Sequence, residues 1–496
     1  MTGPSTWSFV HEDGQVLRPD PARVVAKTFL PGQEIEGSGR SRATAVLDRV
    51  LAIPDDEVTG LLAATMNSYG PRHGDLATLL EDRFELVAHR LMRPERTSLE
   101  RRLLIGAYFT QEYAIEAAAL FNPSMVPHPD QSGLAPGTTR FVMSVRAVGE
   151  GHISSVGFRT GTIDASDTVV FDDLDPVTVL PRTVDGMYSK SIFERQYAEM
   201  SGDHSSAEFV LQALPEEFDR ADLDRALSRL DDQGLTRGNA VSTVARIELI
   251  ASCNYSVTFA EESGLQQRVL MPGSPSESHG IEDVRLVRFT EYDGTVEYRG
   301  TFTAFDGTHV VPQLLRTKDF QTFRLSQVSG PAAKDKGMAL FPRRVGGRNL
   351  ALSRWDREDN SLASSADVDH WTDIGTLQTP RQSWEIVQLG NCGPPVETPS
   401  GWLVLTHGVG PMREYSMGAV LLDLDDPRRA LAQLERPLLR PASAERNGYV
   451  PNVVYSCGAM LHLDTLVVPY GCNDAAIRVA LVDVPELLDA MVPTPT

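Results

Sequence analysis

The segment Gly401-Trp-Leu-Val-Leu-Thr-His407 is short, rich in residues that favour β-strands, and ends in a polar side chain. Segments of the same kind recur along the chain and are separated by turn signals such as Asp293-Gly294. They cover 141–146, 152–158, 298–304, 349–353, 419–422, 466–468 and 476–480. Many short strands without alternating long helices predict a mainly β fold, which is a sandwich, a barrel or a propeller.

The spacing of the polar strand ends narrows this choice. Asp306, Arg354, His407 and Asp474 each follow an apolar strand, at steps of 48, 53 and 67 residues, and Arg146 ends an earlier strand. Four-stranded propeller blades have repeats of about this length, and their inner strands direct side chains towards one central pocket. Five such ends predict a five-bladed β-propeller.

Two regions show helical instead of β periodicity. Apolar residues recur at three- and four-residue steps over 75–92, which predicts an amphipathic helix. Thr97 and Glu100 fit a capping box, which predicts one long helix over 98–120. A second helical region, at 188–235, interrupts the β pattern.

These patterns predict two domains. We expect residues 1–114 to form an N-terminal extended arm with a helical domain, and residues 115–490 to form the β-propeller with the helical insertion at 188–235. The added helices are candidates for packing and for the subunit interface of a homo-oligomer, since amphipathic helices bury one face.

Composition excludes several classes of protein. The 46 basic and 67 acidic residues give a net charge of −21, which would repel a nucleic-acid backbone. No apolar run approaches the roughly 18 residues that span a membrane, and the first residues lack the features of a signal peptide. The four cysteines form no CxxC pair, and the histidines show no metal-ligand spacing. We expect a cytoplasmic protein without a membrane, nucleic-acid or metal partner.

The segment His279-Gly-Ile-Glu282-Asp283-Val-Arg285 concentrates charged residues beside a strand. On an extended chain Glu282 and Asp283 point to opposite faces, so one acid can face a pocket while the other pairs with arginine. The functional interpretation is a carboxylic acid held for proton donation. The alternative is a surface turn with an ordinary salt bridge.

Two further sets of residues suggest a binding pocket. Arg146, Glu150 and His152 surround two glycines, and this loop is either a site for a polyhydroxylated ligand or an ordinary turn. Lys334 and Lys336, Arg354, and His407 each adjoin an apolar strand. Singly, such bases are usually surface charges, but on neighbouring blades they would form a cationic pocket for an oxyanion.

An ordered set of motifs resembles glycoside hydrolase family 130, the β-mannoside phosphorylases and β-mannosidases. The match covers about 115–485 apart from the helical insertion, and the family implies a five-bladed β-propeller with the sugar at its centre. The motifs are Phe121-Asn-Pro-Ser-Met-Val, Phe141-Val-Met-Ser-Val-Arg146, Ile281-Glu-Asp-Val-Arg285, Lys336-Gly-Met-Ala-Leu-Phe-Pro342, Arg354 with the later 364–371 stretch, Gly393-Pro-Pro-Val, Gly401-Trp-Leu-Val-Leu-Thr-His407-Gly and Tyr470-Gly-Cys-Asn-Asp474.

The resemblance implies a role for each matching position. Asp283 matches the proton donor, which reaches the glycosidic oxygen through the 3-hydroxyl of the mannosyl residue. The positions that hold the mannosyl residue are Asn122, Arg146 and Asp474, and those that grip inorganic phosphate are Lys336, Arg354 and His407. We expect the substrate-binding set to be completed by Glu150, His152, Glu282, Arg285 and Tyr415.

Three activities follow from this resemblance. A phosphorylase needs one carboxylic acid, because phosphate supplies the nucleophile, and retention of three cations at the phosphate positions favours it. A hydrolase needs a second carboxylate to activate water, for which Glu150, Glu385 and Glu397 are candidates. A lectin that binds mannosides without turnover is the third interpretation. We therefore expect inverting phosphorolysis of β-mannosides to α-mannose 1-phosphate, with phosphate as co-substrate and no other cofactor.

Overall fold

The computed structural model describes residues 5–32, 41–200, 203–232, 240–442 and 447–494. Within these residues the chain is mainly β with some helices, as predicted. The α-helices are α1 (Arg42–Leu51), α2 (Asp55–Tyr69), α3 (Leu76–Ala88), α4 (Leu99–Tyr108), α5 (Lys190–Glu199), α6 (His204–Gln212), α7 (Arg220–Asp232), α8 (Ala240–Ser252) and α9 (Val484–Asp489).

The strands begin close to the N-terminus and continue to the end of the described chain. The first half contains β1 (Val10–Glu12), β2 (Val24–Thr28), β3 (Thr110–Ala114), β4 (Ala119–Pro127), β5 (Thr139–Val148), β6 (Ser154–Ile163), β7 (Val169–Phe171), β8 (Arg182–Val184), β9 (Tyr188–Ser189), β10 (Glu217–Phe218), β11 (Tyr255–Thr258) and β12 (Val269–Leu270). The second half contains β13 (Gly280–Thr290), β14 (Val296–Phe305), β15 (Val310–Thr317), β16 (Thr322–Gln327), β17 (Ala339–Leu340), β18 (Asn349–Ser353), β19 (Asn360–Ser365), β20 (Thr372–Gln378), β21 (Gln388–Asn391), β22 (Val396–Thr398), β23 (Gly401–Val409), β24 (Tyr415–Leu422), β25 (Ala430–Gln433), β26 (Val454–Tyr455), β27 (Met460–His462), β28 (Thr465–Cys472), β29 (Ala476–Asp483) and β30 (Val492–Pro493).

Most of the described strands form antiparallel groups that follow one another along the chain. The first group is β4-β5-β6, with β7 and β12 also paired to β6. The second is β13-β14-β15-β16, continued by β11 and β8, and a parallel bridge between Ser154 and Gly280 joins it to the first. The third is β17-β18-β19-β20. The fourth is β21-β23-β24-β25 with β22 and β30, and the fifth is β1-β29-β28-β26 with β27.

Strand β23 has a hydrophobic core on each of its two faces. Leu403 and Leu405 belong to a cluster that includes side chains of β28 in the fifth group. Trp402 and Val404 belong to another cluster, with side chains of β18 and β19 in the third group. Alternate residues of a strand point to opposite faces, so a strand between two sheets needs apolar residues at both. This explains why residues 402–405 of β23 form an uninterrupted apolar run.

The N-terminal arm completes the fifth group. Strand β1 pairs antiparallel with β29, where Val10 lies opposite Val482, and Leu17 forms a further bridge with Ile477. The edge of the last sheet is therefore supplied by the start of the described chain. Because an unpaired edge leaves backbone N–H and C=O groups without partners, this pairing stabilises the C-terminal sheet.

The N-terminal helices differ in part from the sequence prediction. Helix α3 confirms the amphipathic helix expected over 75–92. The long helix expected over 98–120 is wrong, because α4 ends at Tyr108 and the chain then enters β3 and β4. The capping residue is Ser98, whose hydroxyl accepts a hydrogen bond from the Arg101 N–H, and not Thr97. Pairing of β3 with β2 outweighs the helical pattern of the sequence.

The helical insertion packs around a small core of its own. It contains α5, α6 and α7, and α8 prolongs it to Ser252, beyond the expected end, while positions 201–202 and 233–235 lie outside the described residues. Helix α5 attaches it to the β-structure, since Gln196 donates to the Gln327 carbonyl oxygen at 2.7 Å and Glu199 accepts from the Gly330 N–H at 2.6 Å. Among the described helices, none combines the length and apolar character needed to cross a membrane.

Candidate active site

A polar cavity lies where residues from all five groups of strands meet. The structure brings nine of the sequence-predicted site residues together in its wall: Asn122, Arg146, Asp283, Arg285, Lys336, Arg354, His407, Tyr415 and Asp474. Its other lining residues are Thr303, Gly337, Gln388, Arg413, Val450, Val453 and Tyr455. A concave site with a few converging polar groups is a usual form of small-ligand site.

Asp283 enters the cavity through a β-bulge. Its φ of 57° lies in the left-handed region, and the pairing of β13 with β14 shifts register between Glu282 and Arg285. Both acids consequently turn towards Arg146, whose Nη2 donates to Glu282 Oε1 at 2.6 Å and whose Nη1 donates to Asp283 Oδ1 at 3.1 Å. The prediction that the acids occupy opposite faces is wrong, because the extra residue of a bulge breaks strand alternation.

Asn122 and Asp474 also occupy left-handed positions at the cavity, each with a φ of 49°. The register of β4 with β5 shifts at Asn122, which places its Nδ2 to donate to Asp283 Oδ1 at 2.7 Å. Asp474 follows β28. We call Asn122, Arg146, Asp283 and Asp474 the acidic side of the cavity. Glu282 pairs with Arg146 and does not itself line the cavity.

The charges around Asp283 decide its protonation. Burial alone would raise the pKa of Asp283, but Arg146, Lys336 and the hydrogen bond from Asn122 lower it below its ordinary value. Burial raises the pKa of the neighbouring Glu282, with Arg146 acting against it. Asp283 is therefore an ionised carboxylate at neutral pH, and the hydrogen bonds that it accepts from Asn122 and Arg146 favour this form.

Asp474 behaves differently from Asp283. Burial raises its pKa to about 7, Arg146 acts against this shift, and the negative charge of Asp283 adds to it. A carboxyl group with such a pKa gains or loses its proton near neutral pH. The acidic side therefore contains one acid that is ionised and another that holds a proton below neutrality.

Another part of the cavity wall carries the predicted phosphate residues. Arg354 Nη1 lies 3.4 Å from His407 Nε2, and Gln388 Nε2 lies 3.4 Å from the same atom. Lys336 is half-exposed, with its Nζ 3.9 Å from Glu282 Oε2. We call Lys336, Arg354, Gln388 and His407 the basic side. Three residues separated by up to 71 positions in the sequence thus line one cavity.

His407 does not contribute a positive charge to the basic side. Burial lowers its pKa well below 6.5, and the charges of Arg354 and Arg285 lower it further. The expectation of three cations is therefore wrong for this residue, which is a neutral imidazole at neutral pH. Tyr415 stacks beside it, with ring centroids 5.9 Å apart and planes inclined by 15°.

Glu150 and His152, which are predicted to bind substrate, do not line the cavity. The chain turns away after β5, and both Gly151 and His152 have a left-handed φ. The Glu150 backbone carbonyl accepts a hydrogen bond from the Tyr113 hydroxyl at 2.8 Å. His152 Nδ1 lies 2.8 Å from the hydroxyl of Tyr449, the residue before the lining Val450. Contact of this loop with a longer ligand stays a prediction.

Three other acids singled out in the sequence also lie away from the cavity. Asp306 accepts two backbone N–H groups of its own turn, and Glu385 accepts two backbone N–H groups just before it. Glu397 pairs with Arg343 near the surface, at 2.6 Å. In the part of the chain that the structure describes, His, Cys, Asp and Glu side chains form no cluster of three or more suited to a metal ion.

A family model decides the classification of the chain. The model described as β-1,4-mannooligosaccharide phosphorylase matches residues 240–492, about half of the chain. The chain belongs to glycoside hydrolase family 130. This confirms the resemblance found in the sequence, and it makes the protein an enzyme of a mannoside phosphorylase family.

Individual members of glycoside hydrolase family 130 resemble this chain over different lengths. The 1,2-β-oligomannan phosphorylase of Thermoanaerobacter sp. (strain X514) is 32% identical over 227 residues, 45% of this chain and 75% of the relative. The β-1,2-mannobiose phosphorylase of Listeria innocua is 32% identical over 226 residues, 44% of this chain and 62% of the relative. A solved structure of the Listeria innocua β-1,2-mannobiose phosphorylase with β-1,2-mannobiose is 20% identical, covering 76% of this chain and 93% of that one, with a TM-score of 0.46.

The family 130 site depends on Asn391, which the sequence analysis did not identify. Arg285 Nη1 donates to Asn391 Oδ1 at 2.6 Å, and Asn391 Nδ2 donates to the Gly337 carbonyl oxygen at 2.7 Å. The backbone carbonyl oxygen of Asn391 accepts from His407 Nδ1 at 3.0 Å. One residue therefore holds Arg285, His407 and the loop after Lys336 in place. The nearby motif that begins at Gly393 was the available signal.

Gln388 and Tyr455 were missed for a different reason. Tyr455 accepts a hydrogen bond from Arg285 Nη2 at 2.6 Å, and its ring lies 5.0 Å from that of His407. Neither residue belongs to a motif with a chemical pattern of its own. Only the tertiary structure brings them to the cavity.

Proposed function

We propose that this protein is an inverting β-mannoside phosphorylase, which cleaves β-mannosides with inorganic phosphate and releases α-mannose 1-phosphate. The observation that carries the proposal is the division of one cavity into an acidic and a basic side. Inverting cleavage of a glycoside needs a proton for the leaving oxygen and a nucleophile on the opposite face of the sugar ring. Asp283 supplies the first, and phosphate held by the basic side supplies the second.

The acidic side holds the mannosyl residue in this proposal. Asn122 Oδ1 is buried and has no hydrogen-bond donor among the described residues, so it accepts from a sugar hydroxyl. Arg146 and Asp474 add a donor and a group that can donate or accept. Asp283 faces the 3-hydroxyl, through which its proton reaches the glycosidic oxygen.

Phosphate binding favours the protonated form of Asp283 that the reaction needs. Asp283 is ionised in the unliganded cavity, in part because Lys336 lowers its pKa. A phosphate dianion near Lys336 offsets that positive charge and adds a negative charge, and both effects raise the pKa of Asp283. The carboxyl group is therefore protonated most readily when both substrates are bound.

The basic side positions the nucleophile. Lys336 and Arg354 bind phosphate oxygens through charge-assisted hydrogen bonds. One unprotonated oxygen attacks the anomeric carbon from the face opposite the leaving oxygen, which takes up the relayed proton. The new bond has the opposite configuration from the broken one, so a β-mannoside gives α-mannose 1-phosphate.

Hydrolysis is the second candidate function, and Asp335 is the residue that bears on it. A hydrolase needs a carboxylate that activates water on the side opposite the acid. Asp335 Oδ2 lies 3.5 Å from Arg354 Nη2, and its Oδ1 lies 3.2 Å from Arg357 Nε. Both oxygens face arginines, which favours a structural role. The glutamates considered from the sequence lie outside the cavity, and membership in an enzyme family disfavours the lectin interpretation.

The class of substrate is a β-linked mannoside, and β-1,2-mannobiose is the first compound to test. Two similar proteins are phosphorylases of β-1,2-linked mannosides, whereas the family model carries a β-1,4 description. The protein is incubated with β-1,2-, β-1,3- and β-1,4-mannobiose, each with and without phosphate. We expect α-mannose 1-phosphate from at least one substrate and only when phosphate is present. Equal cleavage to free mannose without phosphate would replace phosphorolysis by hydrolysis.

Several larger features belong to the same proposal. The five antiparallel groups of strands support a five-bladed propeller formed by 115–490 and completed by β1 of the N-terminal arm, with the helical insertion outside the central cavity. The helices of 1–114 remain the proposed N-terminal domain. We further propose that the added helices contribute to a homo-oligomer and that the protein acts in the cytoplasm. Size-exclusion chromatography with light scattering tests the first of these, and cell fractionation tests the second.

A further inference from the structure

His407 presents its two ring nitrogens to different surroundings. Nδ1 lies 3.0 Å from the backbone carbonyl oxygen of Asn391, which can only accept, so Nδ1 carries a hydrogen. Nε2 lies 3.4 Å from Arg354 Nη1 and 3.4 Å from Gln388 Nε2, which are both donors. Nε2 therefore carries a lone pair, and the ring is the neutral Nδ1–H tautomer.

The groups packed around His407 all maintain this tautomer. Arg354 and Arg285 are cations, and the aromatic rings of Tyr415 and Tyr455 bring no negative charge. Asp335 faces Arg354 instead of the imidazole ring. Burial and the two arginines lower the pKa of His407 well below 6.5, which agrees with the hydrogen-bond geometry.

At His407 the basic side therefore offers two donors, from Arg354 and Gln388, and one acceptor, His407 Nε2. Arg354 Nε is buried and has no acceptor among the described residues, and the 3.4 Å contacts of Arg354 and Gln388 with His407 are long for hydrogen bonds. A ligand that satisfies this arrangement accepts hydrogen bonds from Arg354 and donates one to His407 Nε2. Monohydrogen phosphate has both properties, because it keeps one hydrogen on an oxygen.

We propose that His407 makes the basic side selective for oxyanions that carry a hydrogen, so that it takes monohydrogen phosphate or arsenate and discriminates against sulfate. The proposal rests on the proposed function, since it specifies the protonation state of the co-substrate. Sulfate has the same charge and a similar shape, but it would place an acceptor oxygen against the lone pair of Nε2. Two facing acceptors leave a buried polar group unsatisfied. Asn391 acts as the positioning residue that fixes the tautomer.

Calorimetric titration of the full chain with three anions tests this inference without turnover. At about pH 8, phosphate and arsenate are mainly dianions that keep one hydrogen, and sulfate is a dianion without one. We expect phosphate and arsenate to bind with similar affinity and sulfate to bind at least roughly tenfold more weakly. Sulfate affinity within about threefold of phosphate overturns the proposal.

Two variants separate the role of His407 from the general attraction of anions. In His407→Gln the side-chain amide can present an N–H or a C=O group, so the ratio of phosphate to sulfate affinity should fall at least about fivefold. Arg354→Lys is the matched control, because it weakens both anions and keeps their ratio within about twofold. An unchanged ratio in His407→Gln contradicts the proposal.

A second measurement uses the wild-type protein, so its result does not depend on whether the variants fold. Nitrogen NMR of histidine-labelled protein should show His407 as the neutral Nδ1–H form, and phosphate should shift its Nε2 signal more than sulfate does. A cationic or Nε2–H ring overturns the inference. Formation of α-mannose 1-phosphate is assayed separately: turnover without anion selectivity removes this inference alone, and selectivity without turnover removes the proposed function alone.

Discussion

The acidic and basic sides of the cavity are built in different ways. On the acidic side, Asn122, Asp283 and Asp474 all occupy left-handed backbone positions, and Arg146 bonds directly to Asp283. On the basic side, Arg354 and Gln388 contact His407 only at 3.4 Å, and Arg354 keeps a buried donor without an acceptor among the described residues. The hydrogen bonds within the acidic side are shorter, at 2.7 Å and 3.1 Å, so the two sides should respond differently to substitution.

The largest effect is expected from Asp283→Asn, which breaks the acidic side. An amide cannot supply the proton, and loss of a general acid typically lowers the rate by about 10²–10⁴-fold. We expect kcat for mannoside cleavage to fall by this amount while circular dichroism and the melting temperature stay close to wild type. Asp306→Asn is the control, because it makes the same chemical change in a turn outside the cavity. Near-native turnover in Asp283→Asn would remove Asp283 from the role of proton donor.

Arg354→Ala should break the basic side and leave sugar binding almost intact. A charge-assisted hydrogen bond contributes about 1.5–3 kcal/mol, so the KM for phosphate should rise by roughly tenfold to 150-fold. The KM for the mannoside should change by less than about threefold, since the acidic side keeps its contacts. Initial rates at varied concentrations of each substrate measure both constants.

Arg343→Ala is the matched control for this experiment. Arg343 forms an exposed pair with Glu397, so its loss should leave both KM values close to wild type. Two outcomes would show that the basic side does not bind phosphate: Arg354→Ala raises both KM values equally, or it raises neither of them.

Asp474→Asn sharpens the comparison by removing the acid that titrates near neutrality. Burial raises the folded-state pKa of Asp474 to about 7, so the folded protein holds this proton where the unfolded chain has released it. The stabilising contribution is complete at low pH and is lost as pH rises through about 7. The measured quantity is the melting temperature of wild type minus that of Asp474→Asn. We expect this difference to decrease as the pH is raised from about 5 to about 8.

Asp293→Asn provides the comparison. Hydrogen bonds from Thr295 lower the pKa of Asp293, so this carboxyl group is ionised in both folded and unfolded protein over the same pH range. Its difference in melting temperature should therefore stay constant from about pH 5 to about pH 8. A constant difference for Asp474→Asn as well would show that burial does not raise its pKa.

The smallest effect is expected from Glu397→Gln. The glutamate forms an exposed pair with Arg343 and lies outside the cavity, and such pairs contribute about 0–1 kcal/mol. Turnover with phosphate should stay within about twofold of wild type, as measured from released mannose 1-phosphate. A large loss of activity would make Glu397 a candidate base for hydrolysis and would weaken the division into two sides.

The sequence allowed much of the cavity to be predicted, because its residues lie in motifs next to apolar strands. Residue type alone suggests that Lys336, Arg354 and His407 bind an anion. Their order along the chain also matches a known family. The protonation of His407 could not be predicted, since it depends on burial and on Arg285 and Arg354. A charge that depends on tertiary neighbours leaves no local signal in the sequence.

Backbone irregularities account for most of the errors. Alternation predicted opposite faces for Glu282 and Asp283, and the bulge between them reversed this. Asp306 supported the five-blade spacing but belongs to a turn outside the cavity. The helix over 98–120 failed because β3 pairs with β2, a contact between distant parts of the chain. In each case a long-range or non-repeating feature outweighed a local period.

The pairing of β1 with β29 has a consequence for how the protein is made. Val10 and its partner Val482 lie 472 positions apart, so β1 is synthesised long before β29. During synthesis β1 therefore has no partner strand, while the first four groups of strands can fold as they emerge. The fifth group closes only after translation of β29, so completion of its sheet depends on a contact between strands that are very distant in the sequence.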